Sequence, residues 1–176
     1  FTTLGLTVAL SAVDCWLIAI LRHLPGFDPA NLNLLEVGRA PVGSFLLFVV
    51  IAPLTEEIFF RGFVLRGLLG RLRMWPAILL AALLFGLIHA NIRQFVLALV
   101  LGTACGHWLW RTGSTGPALL SHAVLNLVAF LASWRPDLFI WLGGWHEPAG
   151  LVHPAPLTTL SGFALALVGW VWCGQA

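Results

Sequence analysis

Two adjacent glutamates follow a run of hydrocarbon side chains. Glu56 and Glu57 come directly after the segment SFLLFVVIAPLT, and Arg61 follows Glu57 by four residues. A charged side chain near a bilayer centre costs at least about 2.5 kcal/mol on insertion scales, so ionisable residues there are candidates for function. Glu57 and Arg61 share one helix face and can pair. Glu56 lies about 100° around the helix and is left to face a cavity.

Two further pairs in later apolar segments repeat this spacing. Phe85 and His89 are four residues apart, and so are His122 and Asn126. Each pair therefore directs two side chains from one helix face. Glu56 with His89 could hold and deprotonate a water. His122 with Asn126 could donate hydrogen bonds to the oxyanion that forms when this water attacks a carbonyl. The pattern predicts a hydrolytic centre inside a membrane.

Membrane helices must position these side chains. Of 176 residues, 60% are hydrophobic and 9% are charged, whereas a soluble domain carries about 25% charged residues. We therefore expect an all-α, polytopic membrane protein, with one domain over residues 1–176 and about six transmembrane or membrane-embedded helices. The apolar runs that are candidates for spanning helices are about 2–21, 41–65, 76–91, 94–110, 116–133 and 156–174. The third run is short, so a non-spanning helix is an alternative there.

Residues outside these runs suggest how the chain meets the bilayer. The stretch 134–155 is rich in Trp and His, which is typical of an interfacial loop. Arg66, Arg71 and Arg73 cluster between the second and third runs, which favours a cytoplasmic position for that loop. Asp14 lies within the first run and has no assigned role. The net charge of +2 gives no indication of a nucleic-acid partner.

The three spaced elements resemble the ordered motifs of a known family. Glu56-Glu57-x-x-x-Arg61, Phe85-x-x-x-His89 and His122-x-x-x-Asn126 resemble those of the CPBP intramembrane proteases. That family includes the CAAX-processing endopeptidases and the bacterial Abi, or bacteriocin-processing, proteins. The resemblance covers about 41–133 and implies a helical membrane fold with a proteolytic site in the bilayer. It assigns catalysis to Glu56, His89, His122 and Asn126, with Glu57, Arg61 and Phe85 in support.

The resemblance leaves two mechanisms open. The family has been described as metal-dependent, and a metal-free glutamate mechanism is the competing account. Glu56, His89 and His122 offer the nitrogen and oxygen ligands of a three-ligand catalytic zinc site. The His-Glu-x-x-His pattern of many soluble zinc proteases is absent. We favour the metal-free mechanism with no cofactor, and keep zinc as the alternative.

Two functions from different classes fit these residues. The first is an endopeptidase that cuts a peptide or a membrane-anchored protein near the bilayer. The second is a non-catalytic membrane scaffold or a bacteriocin-immunity factor with the same fold. A scaffold has no need of a buried carboxylate together with two histidines, so we favour the peptidase. The expected surroundings are the lipid bilayer and, given the shortness of the chain, a bacterial cytoplasmic membrane.

Overall fold

A computed structural model describes residues 2–21, 23, 40–135, 137, 145–146, 152–153, 160–162 and 164. Five helices account for most of this part of the chain. They are α1 (Thr2–Leu21), α2 (Pro41–Leu69), α3 (Met74–Leu87), α4 (Ile92–Thr112) and α5 (Gly116–Trp134). One short antiparallel pair, β1 (Trp145–His146) with β2 (Val152–His153), lies in the predicted interfacial loop. The predicted all-α membrane fold is confirmed.

The lengths of the helices show which of them can cross a membrane. Among the described residues, α2, α4 and α5 are long and apolar enough to do so. Shorter apolar stretches are Gly5–Asp14 of α1 and the whole of α3. At about 1.5 Å per residue, α3 is shorter than a bilayer core of about 30 Å. The predicted segment 156–174 lies outside the described residues, apart from positions 160–162 and 164.

The helix α2 changes its hydrogen-bond pattern four times along its length. Its α-helical parts are Pro41–Phe45, Ala52–Glu57 and Arg66–Leu69, and its π-helical parts are Leu46–Ile51 and Ile58–Leu65. Pro53 follows the first π-helical part. Because proline lacks an N–H and crowds the preceding turn, a widened turn before it relieves that conflict. Glu56 and Glu57 therefore lie in a short α-helical part, Ala52–Glu57, between two π-helical segments. Such π-helical segments are rare and frequently occur at functional sites.

The polarity of the molecule is that of a membrane protein. Large apolar side chains face outward on α2, where Phe63 is 75% exposed and Ile58 is 60% exposed. Two charged side chains are inside instead, since Glu57 and Arg61 are 1% and 2% exposed. Apolar side chains on the outer surface are unfavourable in water and favourable in contact with lipid. A buried charge, in contrast, needs a partner of opposite charge or a hydrogen bond. The bilayer and an internal polar cluster meet these two demands.

The chain divides into two compact units. The first comprises Phe1–Val49 and Val124–Ala176, and the second comprises Val50–Ala123. In the first unit, Phe130 of α5 packs on Val49 of α2 and makes an edge-to-face contact with Phe45, with ring centroids 5.6 Å apart. The motif residues from Glu56 to His122 belong to the second unit, and Asn126 belongs to the first.

In the second unit, α3 and α4 pack closely through small residues. A Cβ placed on Gly102 of α4 would lie 3.0 Å from the Ala82 Cβ and 3.1 Å from its Cα. A Cβ on Gly106 would lie 3.0 Å from Ile78. Small residues are typical of membrane helix pairs because they let backbones approach and gain van der Waals contact. The same Cβ on Gly102 would lie 3.4 Å from Arg61 Nη2, so the contact between α3 and α4 lies next to the polar cluster.

The turns at the two ends of α4 are tight. Asn91 caps its N-terminus, and the Asn91 Oδ1 accepts hydrogen bonds from the backbone N–H groups of Arg93 at 2.9 Å and Gln94 at 3.3 Å. Gly113 ends the helix in the left-handed region, with φ of 68°, as is typical of a helix C-terminus. Ala90, in the link from α3, has φ of 50°. That conformation costs a residue with a Cβ roughly 1–2 kcal/mol.

Candidate active site

The Glu57–Arg61 ion pair predicted from the sequence spacing is present. Arg61 Nε lies 3.1 Å from Glu57 Oε2, which is an ion-pair distance, although the geometry does not meet hydrogen-bond criteria. The Arg61 Cζ lies 4.6 Å from the centroid of the Phe85 ring, a cation–π distance. Among the described residues, Nη1 and Nη2 of Arg61 are buried without a hydrogen-bond partner. The guanidinium is thus held between a carboxylate and an aromatic face.

His122 joins the two glutamates, which the sequence analysis did not predict. Its Nδ1 lies 2.9 Å from Glu57 Oε1, and its Nε2 lies 3.7 Å from Glu56 Oε2. An ionised carboxylate only accepts hydrogen bonds, so Nδ1 carries the proton and donates to Glu57. The other ring nitrogen then faces Glu56. The Glu57 carboxylate is therefore shared between Arg61 and His122, and it orients the imidazole.

Glu56 and Glu57 have different surroundings although they are adjacent in the chain. Glu57 is buried and touches both Arg61 and His122. The Glu56 side chain is 27% exposed, and its approach to His122, at 3.7 Å, is longer than a hydrogen bond. Glu57 is thus compensated by two cationic or hydrogen-bonding partners. Glu56 keeps an accessible carboxylate for another molecule.

Phe85 brings the two histidines against one aromatic ring. It is 1% exposed, and its ring makes edge-to-face contacts with His89 at 5.1 Å and with His122 at 5.8 Å between centroids. The same ring contacts Phe60 at 5.1 Å. Phe85, expected only to support the site, is the common neighbour of Arg61, His89 and His122. Its i, i+4 spacing to His89 indicated the first contact, but no feature of the sequence indicated the contacts with helices α2 and α5.

His89 is anchored at the last turn of α3. Its Nδ1 lies 2.9 Å from the carbonyl oxygen of Phe85. A carbonyl oxygen only accepts, so Nδ1 donates and the neutral ring has its lone pair on Nε2. The side chain is partly buried. This arrangement fixes the tautomer that can accept a proton or a hydrogen bond at Nε2.

Asn126 is described within the first unit. Its Nδ2 donates a 2.8 Å hydrogen bond to the carbonyl oxygen of Phe48, at the first π-helical segment of α2. A carboxamide nitrogen carries two hydrogens, so one donor remains. Asn126 also lies four residues beyond His122 on α5. Its expected place in an oxyanion site stays a prediction.

The residues proposed for a zinc alternative are not gathered as a ligand set. Among the residues that the structure describes, no three His, Cys, Asp or Glu side chains are arranged to hold a metal ion. Glu56 and His122 approach each other at 3.7 Å, and His89 and His122 both contact the Phe85 ring. Zinc ligands lie about 2.0–2.2 Å from the metal. The described residues therefore do not fit a three-ligand zinc site.

Comparison with known proteins gives two matches. A family model described as "Type II CAAX prenyl endopeptidase Rce1-like" matches residues 38–128, slightly more than half of the chain and all three motifs. The "Putative membrane peptidase YdiL" of Bacillus subtilis (strain 168) is 22% identical over 103 residues. This alignment covers 58% of the chain and 42% of YdiL, so the chain matches less than half the length of that relative. No solved structure matches significantly.

Proposed function

The chain belongs to the Rce1-like family of type II CAAX prenyl endopeptidases, a family of membrane proteases, and we propose that it cleaves its substrate with a water activated by Glu56. The resemblance to the CPBP family is confirmed by this membership. The protein is an integral membrane protein with helices of spanning length. We propose as its substrate a peptide or membrane-anchored protein and, as its location, a bacterial cytoplasmic membrane.

The contrast between the two glutamates carries this proposal. The charge of Glu57 is compensated by Arg61 and His122 in a buried cluster. Glu56, the residue before it in the same helical turn, keeps a partly exposed carboxylate. A general base must reach the proton that it removes, directly or through one water. Glu56 has that access and Glu57 does not, which supports Glu56 as the base.

The proposed reaction uses the two histidines in different ways. Glu56 removes a proton from a water that His89 holds through Nε2. The water oxygen attacks the scissile carbonyl carbon, and the carbonyl oxygen becomes an oxyanion. His122 and Asn126 donate hydrogen bonds to this oxygen. The C–N bond then breaks, and Glu56 returns the proton to the departing amine, which leaves a carboxylic acid and an amine as products.

Glu57 acts in this proposal as a positioning residue. It fixes the proton of His122 on Nδ1 through the 2.9 Å contact. With Nδ1 so occupied, Nε2 can donate to an oxyanion only when the ring is doubly protonated. Glu56 lies on the other side of the ring, with its Oε2 3.7 Å from Nε2. A buried carboxylate that orients a histidine is a recurring device in hydrolases.

The test is replacement of Glu56 by its amide. Glu56→Gln is nearly isosteric but cannot take a proton, so we expect proteolysis to fall by at least about 10²-fold while the protein stays monodisperse. The assay is cleavage of a membrane-anchored reporter peptide, prenylated or not, by protein reconstituted in liposomes. Asp137→Asn is the matched control, because Asp137 is an exposed carboxylate paired with Arg135. Full activity in Glu56→Gln would overturn the proposed mechanism.

A further inference from the structure

Four arginines lie at one end of the second unit. Arg66 is at the C-terminal end of α2, Arg71 and Arg73 are in the link to α3, and Arg111 is in the last turn of α4. All four are exposed. We call this set the arginine end.

Specific contacts hold these positions together. The Arg66 Nη2 donates a 2.9 Å hydrogen bond to the carbonyl oxygen of Gly113, which joins the end of α2 to the turn after α4. Leu65, Ile78 and Leu109 form one buried apolar cluster directly beneath. The ends of α2 and α4 and the start of α3 therefore meet at the same end of the unit, and their arginines are gathered there by the fold.

The second unit offers no counter-charge to Arg66, Arg71 and Arg73. Its acidic residues are Glu56 and Glu57, and no Asp or Glu occurs between Glu57 and Asp137 in the chain. Glu57 contacts Arg61 and His122, and Glu56 faces His122. The π-helical segment Ile58–Leu65 separates both from Arg66. Negative charge must come from outside the unit.

A row of aromatic side chains lies beside the arginines. Trp75 stacks on His107, with ring centroids 5.6 Å apart and planes inclined by 11°. His107 contacts Trp110 at 5.9 Å. Both tryptophans are about half exposed, at 44% and 46%. Exposed Trp is enriched at the headgroup level of a bilayer. The position of these two tryptophans therefore indicates that the arginine end lies at the level of the lipid headgroups.

We propose that the arginine end binds the phosphate groups of anionic phospholipids in the bilayer. Guanidinium groups match the planar, bidentate geometry of phosphate oxygens. Zwitterionic lipids offer the same phosphate with an ammonium group attached, so the guanidinium groups of Arg66, Arg71 and Arg73 favour lipids of net negative charge. The cytoplasmic leaflet is rich in such lipids, and clustered arginine favours that side of the membrane. The positive charge of the arginine end and the neighbouring exposed tryptophans together favour a lipid headgroup as the bound molecule.

The test measures lipid preference and does not depend on protease activity. Purified protein is placed in nanodiscs of phosphatidylglycerol and phosphatidylcholine, and the lipids retained on the protein are counted by native mass spectrometry. We expect wild-type protein to retain phosphatidylglycerol in excess over its share of the disc. Removing two arginines in Arg71→Gln/Arg73→Gln should lower this excess about 5–30-fold, since each basic residue near the surface contributes roughly fivefold.

Control variants and solution conditions separate the alternatives. Arg135→Gln should keep the preference, because Arg135 lies in the first unit and pairs with Asp137. Arg71→Lys/Arg73→Lys should keep most of it, and raised salt should weaken it in the wild type. Soluble glycerol phosphate should not compete at millimolar concentration. An unchanged preference in the double Gln variant, no preference in the wild type, or equal competition by the soluble phosphate would each overturn the proposal.

Discussion

Arg61 is the residue on which the charge balance of the site depends. It lies between the Glu57 carboxylate and the Phe85 ring, and it is 2% exposed. A buried ion pair contributes little against a well-packed apolar pair, but loss of one partner leaves an uncompensated charge. The same carboxylate also orients His122. In the proposed mechanism, stability and catalysis are therefore coupled at Glu57, whereas Arg61 acts on stability and Glu56 on catalysis.

We expect Arg61→Ala to destabilise the protein far more than Glu56→Gln. The first change removes the Arg61 partner of the buried Glu57 carboxylate, and breaking a buried ion pair in this way typically costs about 3–5 kcal/mol. The second alters a partly exposed side chain without such a partner. Thermal unfolding in detergent measures the difference. Arg135→Ala is the matched control, because it breaks an exposed pair and should leave the melting temperature nearly unchanged. Equal melting temperatures for Arg61→Ala and Glu56→Gln would contradict the division of roles.

The proposed oxyanion donors make a separate kinetic prediction. Asn126→Ala should lower kcat by about 10²–10³ with little change in KM, as expected for loss of a transition-state donor. His122→Ala should lower kcat at least as much. Ser133→Ala is a control on the same helix, since the exposed Ser133 hydroxyl donates a hydrogen bond to the Ala129 carbonyl oxygen within that helix. Wild-type kcat in Asn126→Ala would remove Asn126 from the mechanism.

At the scale of helices, the close contact of α3 with α4 supports the charged cluster. Gly102 lies against Ala82 and near Arg61, so a side chain there would disturb both the packing and the guanidinium. Overpacking of a buried contact costs about 1–3 kcal/mol. We expect Gly102→Val to lower the melting temperature and the activity together.

Gly67 provides the comparison for this prediction. It lies in the last α-helical part of α2, and no atom lies within 4 Å of a Cβ placed there. Gly67→Val should therefore change stability only by the small difference in helix propensity. Equal melting temperatures for Gly102→Val and Gly67→Val would show that the close approach of α3 and α4 does not determine the stability of the protein.

The sequence predicted the helices and the local pair but not the long-range contacts. Lengths of apolar runs predicted α1 to α5 within a few residues, because a bilayer fixes the length of a spanning helix. The Glu57–Arg61 pair was predictable because it lies within one helix face. The His122–Glu57 contact joins residues 65 positions apart and depends on how helices pack. The π-helical segments were also unpredictable, since their apolar side chains suit an α-helix equally well.

For the whole molecule, the central question is whether catalysis needs a metal. We expect activity to survive a chelator, and elemental analysis of the purified protein to find no stoichiometric zinc. The structural reason is that, in the part of the chain that the structure describes, no three His, Cys, Asp or Glu side chains are arranged to hold a metal ion. One equivalent of zinc, lost together with activity in His89→Ala, would show instead that Glu56, His89 and His122 are ligands first.

The π-helical segment Ile58–Leu65 affects the direction in which later side chains of α2 point around the helix axis. It lies between the glutamates and the arginine end on a single helix. Each α-helical residue turns the chain by about 100°, so removing one residue, such as Gly62, would rotate everything beyond it by that angle relative to Glu57. Arg66 would then turn away from Gly113, while Arg61 would keep its carboxylate. The π-helical segment thus sets the direction in which the arginine end points relative to Glu56 and Glu57.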